Sequence, residues 1–66
     1  MVRIRRGNLV FITWKGDHPP RHVHIYRDRT LLLRWDLEGW KPVRGSGIPT
    51  LQILRILIEL RREGRL

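Results

Sequence analysis

The residues best equipped for chemistry crowd into one string, Gly16-Asp17-His18-Pro19-Pro20-Arg21-His22-Val23-His24, which holds all three histidines of the chain. Imidazoles change charge near neutral pH, so they serve as acid, base, phosphate partner or metal ligand. His22-Val23-His24-Ile25-Tyr26 alternates with the period of a strand. This predicts His22, His24 and Tyr26 on one face and Val23 and Ile25 on the other. Same-face neighbours on a strand stand about 6.5–7 Å apart, within reach of one shared metal ion, phosphate or water. Asp17 and His18 precede the strand on a loop stiffened by Pro19-Pro20, and such a loop would return His18 over the strand's start.

Three kinds of chemistry fit these residue types. A divalent transition metal such as zinc would find three neutral nitrogens in His18, His22 and His24, with Asp17 as a fourth ligand or an orienting partner. The chain has no cysteine, which excludes thiolate sites and disulfides. Alternatively, metal-independent cleavage of RNA needs a base for the 2′-hydroxyl, an acid for the leaving oxygen and a cation for the phosphorane. His18, His22 and His24, with Asp17 beside them, supply the first two without any cofactor. Arg21, Arg27 or Arg34 supplies the cation, and Tyr26 can stack or donate. The third option is structural: the histidines and Asp17 tie the loop to the strand, or to a partner, by hydrogen bonds.

Charge favours a polyanion. Fourteen basic residues against six acidic ones give +8, and Lys15 and Lys41 are the only lysines. Arginine grips phosphate in a bidentate fork and stacks on bases, so RNA, DNA or an acidic protein is the expected partner. An organism that simply favours arginine would produce the same excess. The expected nucleic-acid contacts are Arg3, Arg5, Arg21, Tyr26, Arg27 and Arg34. No signal peptide and no bilayer-spanning segment is read from the sequence, so the expectation is a cytoplasmic protein with no membrane partner.

The elements that must position these groups follow from alternation and turn residues. Strands are predicted at about 2–6, 9–14, 22–27 and 30–37, and a short edge strand at 42–44 would make a fifth. Gly7-Asn8 and Asp28-Arg29 are the two-residue reversals. Leu31, Leu33, Trp35 and Leu37 are expected to join Val23 and Ile25 over the core, leaving His22, His24, Tyr26, Arg34 and Asp36 on an open face. Phe11 is expected in the core, and Trp14, Trp35 and Trp40 in the core or an interface. Gly45-Ser46-Gly47 reads as a flexible joint. One helix is predicted over about 49–63, with Pro49 near its first position and Gly64 at its stop. Leu51, Leu54, Leu57 and Ile58 form its apolar stripe, extended by Ile53, Ile56 and Leu60. That is more apolar arc than one small sheet needs, so a second chain, as homo-oligomer or partner, is expected against the helix. The 66 residues read as a single α+β domain: an antiparallel four- or five-stranded meander with one C-terminal helix packed on it. There is no repeat, no low-complexity segment, and no nucleotide, kinase or Rossmann motif.

The order of elements and the string Asp17-His18-x-x-x-His22-x-His24 resemble a small bacterial family of unknown function. Its members carry Asp/Glu-His-x-Pro-Pro-His-x-His after an aromatic-rich strand, then a hairpin and a C-terminal helix. The resemblance covers about Leu9 to Leu60. The prolines stand one residue earlier here, with Arg21 where the second would sit, and the tail is shorter. Genes of that family often lie beside that of another small protein, in an arrangement like a toxin–antitoxin pair. The resemblance therefore implies a cognate small partner protein and an RNA target, with Asp17, His18, His22 and His24 as candidates. The resulting expectation is a toxin-like component that binds RNA, cleavage being the reaction its histidines are equipped for. A non-enzymatic DNA- or protein-binding regulatory module and a metal-binding domain are the alternatives.

Overall fold

The structure, a computed structural model, describes residues 1–14 and 21–66. Among these residues it is α+β, with five antiparallel strands in one open sheet of order β1-β2-β3-β4-β5 and one C-terminal helix. The strands are β1 (Val2–Arg6), β2 (Leu9–Thr13), β3 (His22–Arg27), β4 (Thr30–Asp36) and β5 (Lys41–Pro42), and the helix α1 spans Leu51–Arg62. The short fifth strand exists but begins one residue earlier than the alternation suggested. Its pairs are Trp35 with Pro42 and Asp36 with Lys41.

Turn chemistry sets the meander. Gly7 takes φ +61° at the first position of the β1–β2 turn, the place where a two-residue hairpin of matching twist demands glycine. At the β3–β4 turn both central residues, Asp28 (φ 48°) and Arg29 (φ 68°), adopt the left-handed region. Asp tolerates that region, whereas Arg at the second position does so at a steric cost. The β4–β5 reversal is organised by Asp36, whose Oδ1 accepts from the Glu38 and Gly39 amides at 2.9 and 3.0 Å.

One face of the sheet forms the core. Leu9, Phe11, Val23, Ile25 and Leu33 are buried there, with Ile4 and Trp35 nearly so, against Ile53, Leu57 and Leu60 of the helix. Thr50 caps the helix, its Oγ1 accepting from the Ile53 amide at 3.2 Å, so Pro49 stands just outside the helix. At the other end Gly64 turns left-handed (φ 75°), and the Arg65 amide reaches back to the Leu60 carbonyl at 2.9 Å while that of Gly64 reaches Arg61 at 3.1 Å. These are the paired bonds by which a glycine closes a helix. Arg61 lies 4.5 Å over the Trp40 ring, which meets Trp35 edge to face at 5.6 Å, so the last helical turn is clasped to β4 and the turn after it.

Four expectations are corrected. The first concerns Leu31. The β3–β4 register shifts at Ile25/Tyr26, so that Ile25 faces Leu33 but Tyr26 faces Leu31. Leu32 is the extra residue of a bulge and packs partly against the core, while Leu31 falls on the open face, 44% exposed. The second is the helix stripe. The helix buries Ile53, Leu57 and Leu60, with Leu54 and Ile56 beside them, and leaves Leu51 74% and Ile58 44% exposed. An arc of apolar residues wider than a sheet can cover offers several stripes, and packing selected one rotated by roughly a quarter turn from the expected centre. The third is Trp14, expected in the core or an interface: it is 47% exposed, which excludes the core alone. The fourth is Gly45-Ser46-Gly47, which is a pinned corner. The Val43 amide donates to the Arg34 carbonyl at 2.8 Å, and Ser46 Oγ donates to the Val43 carbonyl at 2.6 Å. Gly47 (φ 149°) lies so close to the Leu32 carbonyl that a Cβ there would collide with it.

Candidate functional site

The opposite face of the sheet carries the residues singled out for chemistry. Period-2 alternation along β3 buries Val23 and Ile25 and turns His22, His24 and Tyr26 to the other side, each half-buried. Register fixes their neighbours. His22 stands opposite Asp36, His24 lies between Ile12 and Arg34, and Tyr26 lies between Val10 and Leu31. On the outer strand Arg3 stands opposite Ile12 and Arg5 opposite Val10. Lys41 faces Asp36 at the far side. The result is an apolar and aromatic centre of Val10, Ile12, Tyr26 and Leu31. Arg3 and Arg5 flank it on one side, and His22, His24 and Arg34 continue it toward the start of β3.

A cavity of about 200 Å³ opens on this face, lined by Arg3, Val10, Ile12, Tyr26 and Arg29. Val10, Ile12 and Tyr26 give it β-branched side chains and a phenol ring, and Arg3 and Arg29 are its charged lining residues. Because β3 and β4 reverse within two residues, the turn brings Arg29 over the end of the sheet beside Tyr26.

The remaining candidates divide. Arg34 joins the histidines, directly opposite His24. Arg27 does not: it pairs with Leu9, whose side chain is buried, so it falls on the helix side, and its Nε is shielded from solvent with no hydrogen-bond partner. Arg6 occupies the same cross-strand row and pairs with Glu63 at the helix end at 2.9 Å. Arg21 is exposed at the entry to β3, and its carbonyl accepts from the Leu37 amide at 2.9 Å, closing the β3–β4 ladder. Asp17 and His18 lie outside the described residues. So, therefore, does part of the proposed His18–His22–His24 ligand set. Among the described residues, no group of three His, Cys, Asp or Glu side chains could hold a metal ion.

Sequence reasoning missed Arg29, Val10, Ile12 and Leu31 as parts of this face. Val10 and Ile12 were legible from alternation with the buried Leu9 and Phe11. Arg29 was visible only as a turn residue, and Leu31 depended on a bulge that strand periodicity does not show. Among the described residues no helix is long and apolar enough to cross a membrane. Comparison of the chain with family models, with curated proteins and with solved structures finds no match.

Proposed function

We propose that this chain binds single-stranded RNA on the open face of its sheet and cleaves it by metal-independent acid–base chemistry, as the toxin-like member of a two-protein pair. The observation that supports it is the sharing of one face, opposite the helix, by His22, His24, Tyr26, Arg3, Arg5 and Arg34. Single-strand binders combine a cationic surface that follows the backbone with rings and apolar groups on which unpaired bases stack. In the cleavage step one imidazole removes the proton from a ribose 2′-hydroxyl, whose oxygen attacks the adjacent phosphorus. The other, protonated, imidazole delivers a proton to the departing 5′-oxygen, leaving a cyclic phosphate and a free hydroxyl. Arg34, across from His24, neutralises the charge that builds on the phosphorane. In this reading the protein acts in the cytoplasm, where RNA and a cognate small protein would meet it.

The test is incubation of pure protein with mixed single-stranded RNA at low salt. Retardation and cleavage, with cleavage abolished in His22→Ala and His24→Ala, is the expected result. The absence of both retardation and cleavage removes the reading. Binding that is steeply salt-dependent and indifferent to His22→Ala would instead favour the non-enzymatic module. Stoichiometric zinc in untagged protein would favour the metal-binding domain.

A protein partner is favoured by a separate observation. Ile48, Leu51 and Ile58 are 90%, 74% and 44% exposed on and just before the helix. A second copy or the cognate small protein would cover them. Light scattering that shows a monomer at every concentration would count against self-association through this surface.

A further inference from the structure

We infer that the cavity between Arg3 and Arg29 is a single-nucleotide subsite, with a base lying on Tyr26 and the Val10–Ile12 floor and a phosphate held between the two guanidiniums. The inference rests on the reading that the open face carries RNA. It adds where one unit of the strand sits relative to the histidines.

Size and lining carry it. A volume of about 200 Å³ is below the ~300–1,000 Å³ of pockets that enclose a drug-sized ligand, so it suits one flat ring system resting on a surface. Val10, Ile12 and Tyr26 offer an apolar and aromatic floor, and every base has a π-face that can lie on such a floor. Arg3 and Arg29 are the charged lining residues, both cationic, with no carboxylate among them. That combination recognises an anion attached to an apolar ring, which is the chemistry of a nucleoside phosphate.

The β3–β4 turn fixes where Arg29 stands. It holds φ 68° at the second position of a two-residue turn, where glycine is the residue that costs nothing. Left-handed conformations of non-glycine residues gather at ligand clamps and active sites. Here that turn position carries an arginine that lines the cavity. One same-face step along β3 from Tyr26 is His24, about 6.5–7 Å away. A strand lying along β3 with one nucleotide in the cavity would therefore present its flanking phosphate to His24 and Arg34.

The experiment titrates the full chain with uridine 5′-monophosphate, followed by amide NMR, and with a short single-stranded oligouridine, followed by fluorescence anisotropy. The nucleotide should shift the Val10, Ile12 and Tyr26 resonances. Arg29→Gly suits the turn and should melt no lower than the parent, yet weaken oligouridine binding about three- to tenfold and lower the salt slope by about one. Tyr26→Leu keeps an apolar floor without the ring and should weaken binding about tenfold. Oligouridine that binds the parent and both variants equally overturns the subsite and leaves the RNA reading standing. Nucleotide binding at these residues without oligouridine binding supports the subsite and overturns the RNA reading. A parent that binds neither overturns both.

Discussion

The two faces of this sheet are made by the same strands, residue by residue in alternation, and they have opposite characters. On the helix side Leu9, Val23, Ile25, Leu33, Leu57 and Leu60 are fully buried, and the charged groups sit at the rim, where Arg6 meets Glu63. On the open side no residue among the described ones is fully buried, although Val10, Ile12 and Leu31 are as apolar as anything in the core. Arginines and imidazoles surround them. The mixture suits the ligand proposed above, one with flat rings and negative charge.

Substitutions can break this contrast or sharpen it. Leu31 and Leu33 lie two residues apart on one strand, yet the bulge at Leu32 puts them on opposite faces. Leu33→Ala should cost about 2–5 kcal/mol of stability, a large share of what a domain this size possesses, whereas Leu31→Ala should cost less than about 1 kcal/mol. Equal losses, measured by urea denaturation, would mean that the register shift is wrong. His22→Ala and His24→Ala should each lower RNA cleavage by about 10²–10⁴-fold with the unfolding midpoint almost unmoved. A variant that loses stability and cleavage in proportion would assign the imidazoles to the scaffold.

Smaller effects test the corners. Gly47→Ala must move the Leu32 carbonyl or abandon φ 149°, and should cost about 1–3 kcal/mol in thermal melts. A neutral result would show that the corner is loose after all. Arg29→Gly should stabilise by up to about 1 kcal/mol, since it relieves the left-handed arginine at the expense of a more flexible unfolded chain. Arg6→Ala, which breaks a partly exposed pair with Glu63, should change the unfolding free energy from urea denaturation by less than about 0.5 kcal/mol.

These cases also show how far the sequence could be read. Val2–Arg6 and His22–Arg27 alternate, Leu9–Thr13 is rich in β-formers, and Gly7-Asn8 and Asp28-Arg29 punctuate them, so the meander was legible from local chemistry. So was the common face of His22, His24 and Tyr26. Leu31 was not, because its side is set by a bulge at Leu32, where Gly47 from further along the chain comes close to the backbone. The helix was legible, capped by Thr50 and ended by Gly64, but its buried stripe was not. Seven apolar residues around one cylinder leave the choice of stripe to the sheet beneath. Arg27 and Arg34 looked equivalent as cations in the sequence. Alternation along β3 already puts Arg27 with Val23 and Ile25, and cross-strand pairing agrees, since Leu9 opposite Arg27 and His24 opposite Arg34 lie on different faces.

The order of the sheet leaves β1 at one margin, its outer backbone unpaired among the described residues, and places Arg3, Arg5 and Arg6 along that five-residue strand. Two such margins approaching each other would bring six guanidiniums together. The strand thus guards itself against stacking into fibrils by mutual repulsion. Because that guard is electrostatic, it thins as ions are added: the screening length falls to about 3 Å near 1 M salt. Concentrated stocks of this protein should therefore keep best in dilute buffer and cloud on salting.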